Sequence, residues 1–391
     1  MKKFYLKPKF FSTMKNYSKD QAVKDIVAGV IVAIIALPLS IALALASGVE
    51  PACGVYTAIF AGFMVSFLGG SRVQIAGPTA AFATVVAGIV ATQGMEGLII
   101  ATILAGIFLI LMGVFKLGSL IKFIPYTITT GFTAGIAVTI FIGQIKDFLG
   151  LQYADGVKPI ETIEKIEANI HAIGTFSWQA LLVGAVSLAI LIIYPKFEKK
   201  IPPSLIAVIV GALMVKFIPR LDNGVFTIGE LYTIPSGFPK FALSGMEFSF
   251  AKVSAVLPDA FTIAVLAAIE SLLSCVVADS MVNSRHNSNA ELVAQGVGNI
   301  ASVLFGGIPA TGAIARTAAN AKNGGRTPVA GMVHAVVLLL VLLFLMPLAG
   351  LIPMPTIAAI LFMVAYNMSE WREFVSIIKQ SPKSDTLILI V

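Results

Sequence analysis

The sequence predicts an all-α polytopic membrane protein, and three observations carry that reading. Apolar residues fill 58% of the 391 positions and charged residues only 12%, about half the charged share of a soluble chain. Mean hydropathy is +0.94. Ten apolar runs, joined mostly by short loops, approach the ~20 residues that a span needs. They are 23–47, 52–68, 97–115, 124–145, 178–194, 203–218, 260–281, 292–305, 329–348 and 355–366.

Two shorter segments complete the pattern. Gln74-Ile75-Ala76-Gly77-Pro78-Thr79-Ala80-Ala81 opens one, at 79–90, and Gly306-Gly307-Ile308-Pro309-Ala310-Thr311-Gly312-Ala313-Ile314-Ala315-Arg316 opens the other, at 311–320. Both openings are broken by Gly and Pro, and they stand in matching places about 230 residues apart. Matched, interrupted apolar segments point to a binding site built from half-helices that meet at the membrane midplane. Their N-termini carry unpaired N–H groups and partial positive charge, which favours an anion.

Other offsets near 230 residues support two repeats: Asp25 with Asp259, and Leu120-Ile121 and Pro125 with Leu351-Ile352 and Pro355. With the Lys-rich N-terminus in the cytoplasm, most loop Lys and Arg fall on the cytoplasmic side, but only if both broken segments cross the membrane. The second repeat is then inverted. The expected organisation is a cytoplasmic segment 1–21, a first transmembrane repeat 22–219, an extracytoplasmic connection 220–255 and a second repeat 256–391. The run 386–391 reads as the opening of a thirteenth segment, so the chain is expected to be cut short there. The isoleucines of 156–173 recur at helical spacing and predict a surface helix, whereas 223–250 reads as an irregular loop or a short hairpin.

Several function classes are excluded or disfavoured. The net charge of +7 lies mostly in loops that set orientation, so nucleic-acid binding is not expected. Residues 1–19 lack the apolar core of a signal peptide. Cys53 and Cys275 sit in apolar runs and read as buried free thiols. There is no phosphate-binding loop, no His/Cys metal set and no nucleophile elbow, and Ser274-Cys275 has no general base nearby. No cofactor is expected beyond H⁺ or Na⁺ as a coupling ion.

Ionisable residues inside spans mark ion or substrate pathways. Glu270 is central in its span, with Ser274 one turn on; this pair would carry a coupling cation or proton, or Glu270 would be a structural carboxylate fixed by a hydrogen bond or by Arg316. Arg316 stands about one turn inside the second broken segment, beside an anion or snorkelling to a surface. Thr79, Ala80, Ala81, Thr311, Gly312 and Ala313 would bind an oxyanion mainly through backbone N–H groups. Pro38-Leu39-Ser40 interrupts the first span, either shaping a pocket or simply kinking the helix. Asp279 and 283–289, which include His286, read as a polar capping loop.

Ala268-Ile269-Glu270-Ser271-Leu272-Leu273-Ser274, the loop 285–292, and 305–325 followed by Thr327-Pro328-Val329-Ala330-Gly331 resemble the sulfate permease family, in its bacterial branch related to pendrin and prestin. Residues 25–46 and Gly77-Pro78-Thr79-Ala80 fit it too. The resemblance implies a seven-plus-seven inverted repeat, core and gate subdomains, an elevator-like motion and a homodimer in the cell (inner) membrane. It places the anion between the two broken segments, with Ser40 and Glu270 lining it, Glu270 as coupling carboxylate and Arg316 as pocket arginine. A STAS domain is expected after the last span and is absent from this chain. The expected activity is secondary active transport of sulfate, bicarbonate or a related anion, coupled to H⁺ or Na⁺. The alternatives are a nucleobase permease, an uncoupled exchanger or channel, and a membrane motor or scaffold.

Overall fold

The structure is a computed structural model; it describes residues 6–119, 126–157, 159–198, 201–235, 237–243, 249–380, 382, 386 and 389. The ordered elements are α1 (Lys9–Thr13), α2 (Lys19–Ala46), α3 (Pro51–Leu68), β1 (Ala76–Gly77), α4 (Ala80–Val114), α5 (Tyr126–Leu149), α6 (Thr162–His171), α7 (Trp178–Phe197), α8 (Pro203–Phe217) and α9 (Ile228–Leu231). The second half gives α10 (Phe250–Ala255), α11 (Leu257–Val282), α12 (Ser288–Leu304), β2 (Thr311–Gly312), α13 (Ile314–Lys322), α14 (Val329–Phe344), α15 (Met346–Ala349), α16 (Met354–Ser369) and α17 (Trp371–Gln380). Among the described residues six helices, α2, α3, α4, α5, α7 and α11, are long and apolar enough to cross a membrane, and α8 and α14 are shorter apolar helices.

The helices follow the apolar runs closely. The predicted half-segment 79–90 and the span 97–115 appear as the two parts of α4, divided at Gly94, whose φ of 68° is non-helical. Glycine reaches that conformation without the Cβ clash other residues suffer. The predicted surface helix in 156–173 is α6, opened by a Glu161/Glu164 capping box. Among the described residues of 223–250 the loop reading holds, except for a 3-10 turn that ends at Gly224, the single turn α9 and the first residue of α10, and no hairpin forms among them. The helices α1, α10 and α17 were not anticipated. Leu120, Ile121, Lys122 and Pro125 lie outside the described residues, as do all but Thr386 and Leu389 of the proposed thirteenth segment.

The chain forms two compact units, 1–122 with 235–346, and 123–234 with 347–391. Each unit therefore draws on both halves of the sequence, a grouping distinct from the repeats. In the first unit, α12 packs on α3 and α4, α11 on α4 and α13, and α14 on α2 and α3. Small residues let these backbones approach: a Cβ on Gly54 would strike the Ser40 carbonyl, and Gly106 and Gly296 meet main chain to main chain. In the second unit, α16 packs on α5, α7 and α8.

Asp25 closes the near end of α2. It is fully buried and accepts from Gln21 Nε2 at 2.9 Å, the Arg326 N–H at 2.9 Å, Thr327 Oγ1 at 2.6 Å and the Tyr17 hydroxyl at 3.1 Å. Asp259, its counterpart by sequence offset, lies in the first turn of α11, where a carboxylate complements the helix dipole. Burial, and then the charge of Asp25, push the Tyr17 phenol from 10.0 up to about 12. Above pH 10 the unfolded chain releases this proton while the folded chain keeps it, so stability falls between pH 10 and about 12. Thermal unfolding at stepped pH should show a smaller alkaline loss in Tyr17→Phe than in the parent.

Candidate functional site

Both broken segments lie in the first unit and meet there. β1 pairs with β2 antiparallel, Ala76 opposite Gly312 and Gly77 opposite Thr311. A two-residue ladder leaves most of the adjoining backbone unpaired, and within an apolar unit no water replaces the lost partners. Side chains supply them. Ahead of β1, Thr317 Oγ1 accepts the Ile75 N–H at 3.0 Å and Asn320 Nδ2 donates to the Val73 carbonyl at 2.9 Å. The Ala313 N–H reaches the Ile75 carbonyl at 2.8 Å. Gln74 Nε2 donates to the Ser271 carbonyl at 3.0 Å, and the Cys275 thiol donates to Gln74 Oε1 at 3.3 Å.

On the β2 side, Ser271 Oγ accepts the Gly312 N–H at 3.0 Å and shares a hydrogen bond with Thr311 Oγ1 at 2.7 Å. The Ala310 N–H donates to Asn299 Oδ1 at 2.9 Å, and Asn299 Nδ2 returns a bond to the Ala310 carbonyl at 2.9 Å. The Ile308 N–H donates to Thr57 Oγ1 at 2.7 Å, and Ser302 Oγ donates to the Ile308 carbonyl at 2.7 Å.

From this strand pair two helices start. Neither α4, with Thr79 at its N-cap, nor α13, with Ala313, has a side-chain cap. Apart from Phe82, whose N–H reaches the Thr79 carbonyl at 3.2 Å, their first-turn N–H groups therefore keep the orphan donors of a helix start. Thr79 Oγ1 instead donates to Glu270 Oε2 at 3.0 Å. Arg316, 1% exposed, sends Nη2 to the Pro78 carbonyl, and its Nε and Nη1 have no partner among the described residues. Nη1 lies against Gly77, where any Cβ would displace it. Among the described residues no ion pair joins Glu270 to Arg316. A fixed guanidinium and a hydrogen-bonded carboxylate thus flank the same pair of helix starts without neutralising each other.

The geometry sorts the sequence-predicted residues. Thr79, Ala80, Ala81, Glu270 and Arg316 come together around the two helix starts. Thr311, Gly312 and Ala313 are there too, but the Thr311 hydroxyl and the N–H groups of Gly312 and Ala313 are engaged within the protein. Ser274 is one turn beyond Glu270, yet its hydroxyl donates to Thr317 Oγ1 at 3.3 Å. Ser40 follows Pro38 within α2, buried with no side-chain partner among the described residues. Cys53 and Cys275 are free and buried, as expected. Asp279 accepts from the Ser284 hydroxyl at 2.8 Å and the His286 N–H at 2.8 Å, and Asn287 caps α12; the predicted capping loop forms.

Sequence reasoning missed Gln74, Ser271, Asn299, Thr317 and Asn320. Their one common signal is a polar residue inside or just beside an apolar run. It also missed His334 of α14, fully buried with neither ring nitrogen partnered among the described residues.

Apolar helices of spanning length around two interrupted segments define a multi-pass membrane protein. Residues 23–391 match the Sulfate permease family, and the chain belongs to that family. It is 44% identical over 387 residues to the "Putative sulfate transporter YvdB" of Bacillus subtilis, covering 97% of this chain and 71% of that protein. It is 36% identical over 371 residues to the bicarbonate transporter BicA of Picosynechococcus, covering 92% of this chain and 64% of that one. Among solved structures, the transmembrane domain of a cyanobacterial BicA superposes with a TM-score of 0.82 at 29% identity, covering 96% of this chain and 95% of that one. SLC26A9 superposes at 0.87 with 19% identity, over 99% and 64%, which speaks to the fold alone.

A methyl group on Gly312 would overlap the Gln74 carboxamide, which is itself held by hydrogen bonds. Gly312→Ala should therefore lower stability by about 1–3 kcal/mol, read as a drop in melting temperature in detergent.

Proposed function

We propose that this protein is a secondary active transporter of small anions: sulfate, bicarbonate or a related inorganic or carboxylate anion. The single observation that carries the reading is Arg316, a buried guanidinium with two unpartnered nitrogens beside two uncapped helix starts. A buried cation without a counter-charge is costly, and an anion would relieve that cost. The first-turn N–H groups of α4, at Ala80 and Ala81, and of α13 would supply further donors. Thr311, Gly312 and Ala313 would shape the floor, because their polar groups already hold the strand pair. Ser40 would line the same region from α2.

Glu270 is the coupling group in this reading. It would take up H⁺ or Na⁺ when the anion binds, with Thr79 linking it to the start of α4 and Ser274 holding α11 to α13. The inverted repeat is supported by the strand register. The matched interrupted segments meet there as an antiparallel pair, which has local twofold symmetry. A nucleobase permease is disfavoured because a neutral base needs no fixed cation, and a passive anion channel because Glu270 would repel the permeant ion. The N-terminus is assigned to the cytoplasm and the protein to the cell membrane, as a homodimer with elevator-type alternating access.

The test is uptake of labelled sulfate and bicarbonate by the full-length protein in proteoliposomes, with and without H⁺ and Na⁺ gradients. One of the two anions should accumulate against its gradient. Arg316→Gln should reduce uptake at least tenfold, the loss of about 1.4 kcal/mol or more of anion interaction. Glu270→Gln should abolish gradient-driven accumulation while leaving exchange of internal for external anion. Accumulation that ignores both gradients and survives Glu270→Gln would remove the coupling role.

A further inference from the structure

This inference rests on the anion-site reading above. Helix α12 carries Glu291, Gln295 and Asn299 at four-residue intervals, so the three share one face, and all three are fully buried. A polar stripe at this depth is expensive unless its groups find partners. Glu291 and Asn299 find theirs at the approaches to the two broken segments, while Gln295 bonds Glu291 within the helix and its Oε1 has no partner among the described residues. Glu291 Oε2 accepts the N–H groups of Gly70 at 2.9 Å and Ser71 at 3.1 Å, in the loop that enters β1. Glu291 Oε1 accepts from Gln295 Nε2 at 3.0 Å. Asn299 Nδ2 donates to the Gln295 carbonyl at 2.8 Å. Its carboxamide also exchanges two hydrogen bonds with Ala310, the residue that enters β2.

One rigid helix face therefore grips the approach to each strand. The carboxamide of Asn299 does for Ala310 what a neighbouring strand would do, donating and accepting at once. Ser302, three residues on, holds Ile308 in the same loop. The separation of the two loops is thereby set by the rise of one helix rather than by the short strand ladder. Recognition built from backbone donors needs placement within about 0.5 Å.

We propose that α12 is the template that sets the spacing of the two helix starts, with Asn299 and Glu291 as positioning residues for anion recognition. Neither touches the anion. Each acts through the backbone it holds, so its loss changes affinity before it changes turnover.

The test measures uptake kinetics of the full-length protein in proteoliposomes, with sulfate and bicarbonate as probes, alongside the melting temperature of each variant. Asn299→Ala and Glu291→Ala should raise KM about tenfold, as a displaced binding group does, with maximal rate within about twofold. Glu291→Gln, which keeps an acceptor oxygen for the loop, should recover most of the affinity. Thr102→Ala is the control, because among the described residues that buried hydroxyl bonds only the Leu98 carbonyl of its own helix, at 2.7 Å; it should lower the melting temperature and leave KM unchanged. If Asn299→Ala does not fold, Ser302→Ala carries the same expectation at about threefold. A parental KM in the folded position-299 or position-302 variant overturns the proposal. Should Arg316→Gln be inactive while these variants keep a parental KM, only the template role fails. Full uptake by Arg316→Gln would instead sink the anion reading beneath it.

Discussion

Backbone that leaves the helix inside an apolar unit must be hydrogen-bonded by protein, and this one constraint organises the first unit. Between α3 and α4, and between α12 and α13, the chain leaves the helix, and strands of two residues pair only a few of the main-chain groups there. The remainder fall to side chains. Thr57, Ser271, Glu291, Asn299, Ser302, Thr317 and Asn320 are buried polar residues in apolar surroundings, and each bonds to backbone at or near the strands, while Gln74, beside β1, ties that segment to the Ser271 carbonyl of α11. Their partners are mostly distant in sequence, so the two halves satisfy each other.

The same constraint produces the electrostatics. Thr79 gives its hydroxyl to Glu270 and Ala313 has none to give, so no side chain caps α4 or α13. Two helix dipoles then begin at one place with their positive ends unanswered. Arg316 adds a full charge there, anchored through one nitrogen on the Pro78 carbonyl. Glu270 is kept from that charge by its own bond to Thr79. A carboxylate paired with Arg316 would fill the position that the anion reading requires to be vacant. The separation of the two groups is thus as informative as their presence.

Much of this was legible in the sequence, and the reasons differ by residue. The spans were readable because apolar length is a one-dimensional property, and the division of α4 because 79–90 and 97–115 read as separate apolar segments, although Gly94 itself was not singled out. Glu270 was readable as a lone charge in an apolar run. Asn299, Gln295 and Glu291 were not, although they stand at four-residue spacing, because a polar stripe near the end of a run looks like a helix surface until its partners are known. Those partners, Gly70, Ser71 and Ala310, are fixed by tertiary packing. Ser274 shows the converse limit. Helical spacing correctly put it one turn from Glu270, but spacing does not choose a neighbour, and its hydroxyl turned to Thr317. Likewise, Gly/Pro patterning found the strand segments without revealing that Gly312 and Ala313 would use their N–H groups on Ser271 and Ile75.

The grouping of the chain bears on how such a site would operate. Each half contributes its first segments to one unit and its later ones to the other, with crossings near 122, 234 and 346. Every hydrogen bond that supports the strand pair is internal to the first unit, from Thr57 at one side to Asn320 at the other. A site assembled across two units would break bonds to buried backbone whenever the units shifted, at a cost of several kcal/mol per unsatisfied group in a membrane. A site whose polar scaffold closes within one unit escapes that cost, because strands, helix starts, Arg316 and Glu270 can travel together. The elevator reading draws its physical support from this closure, and so does the template role of α12, which joins both broken segments inside the unit that would move.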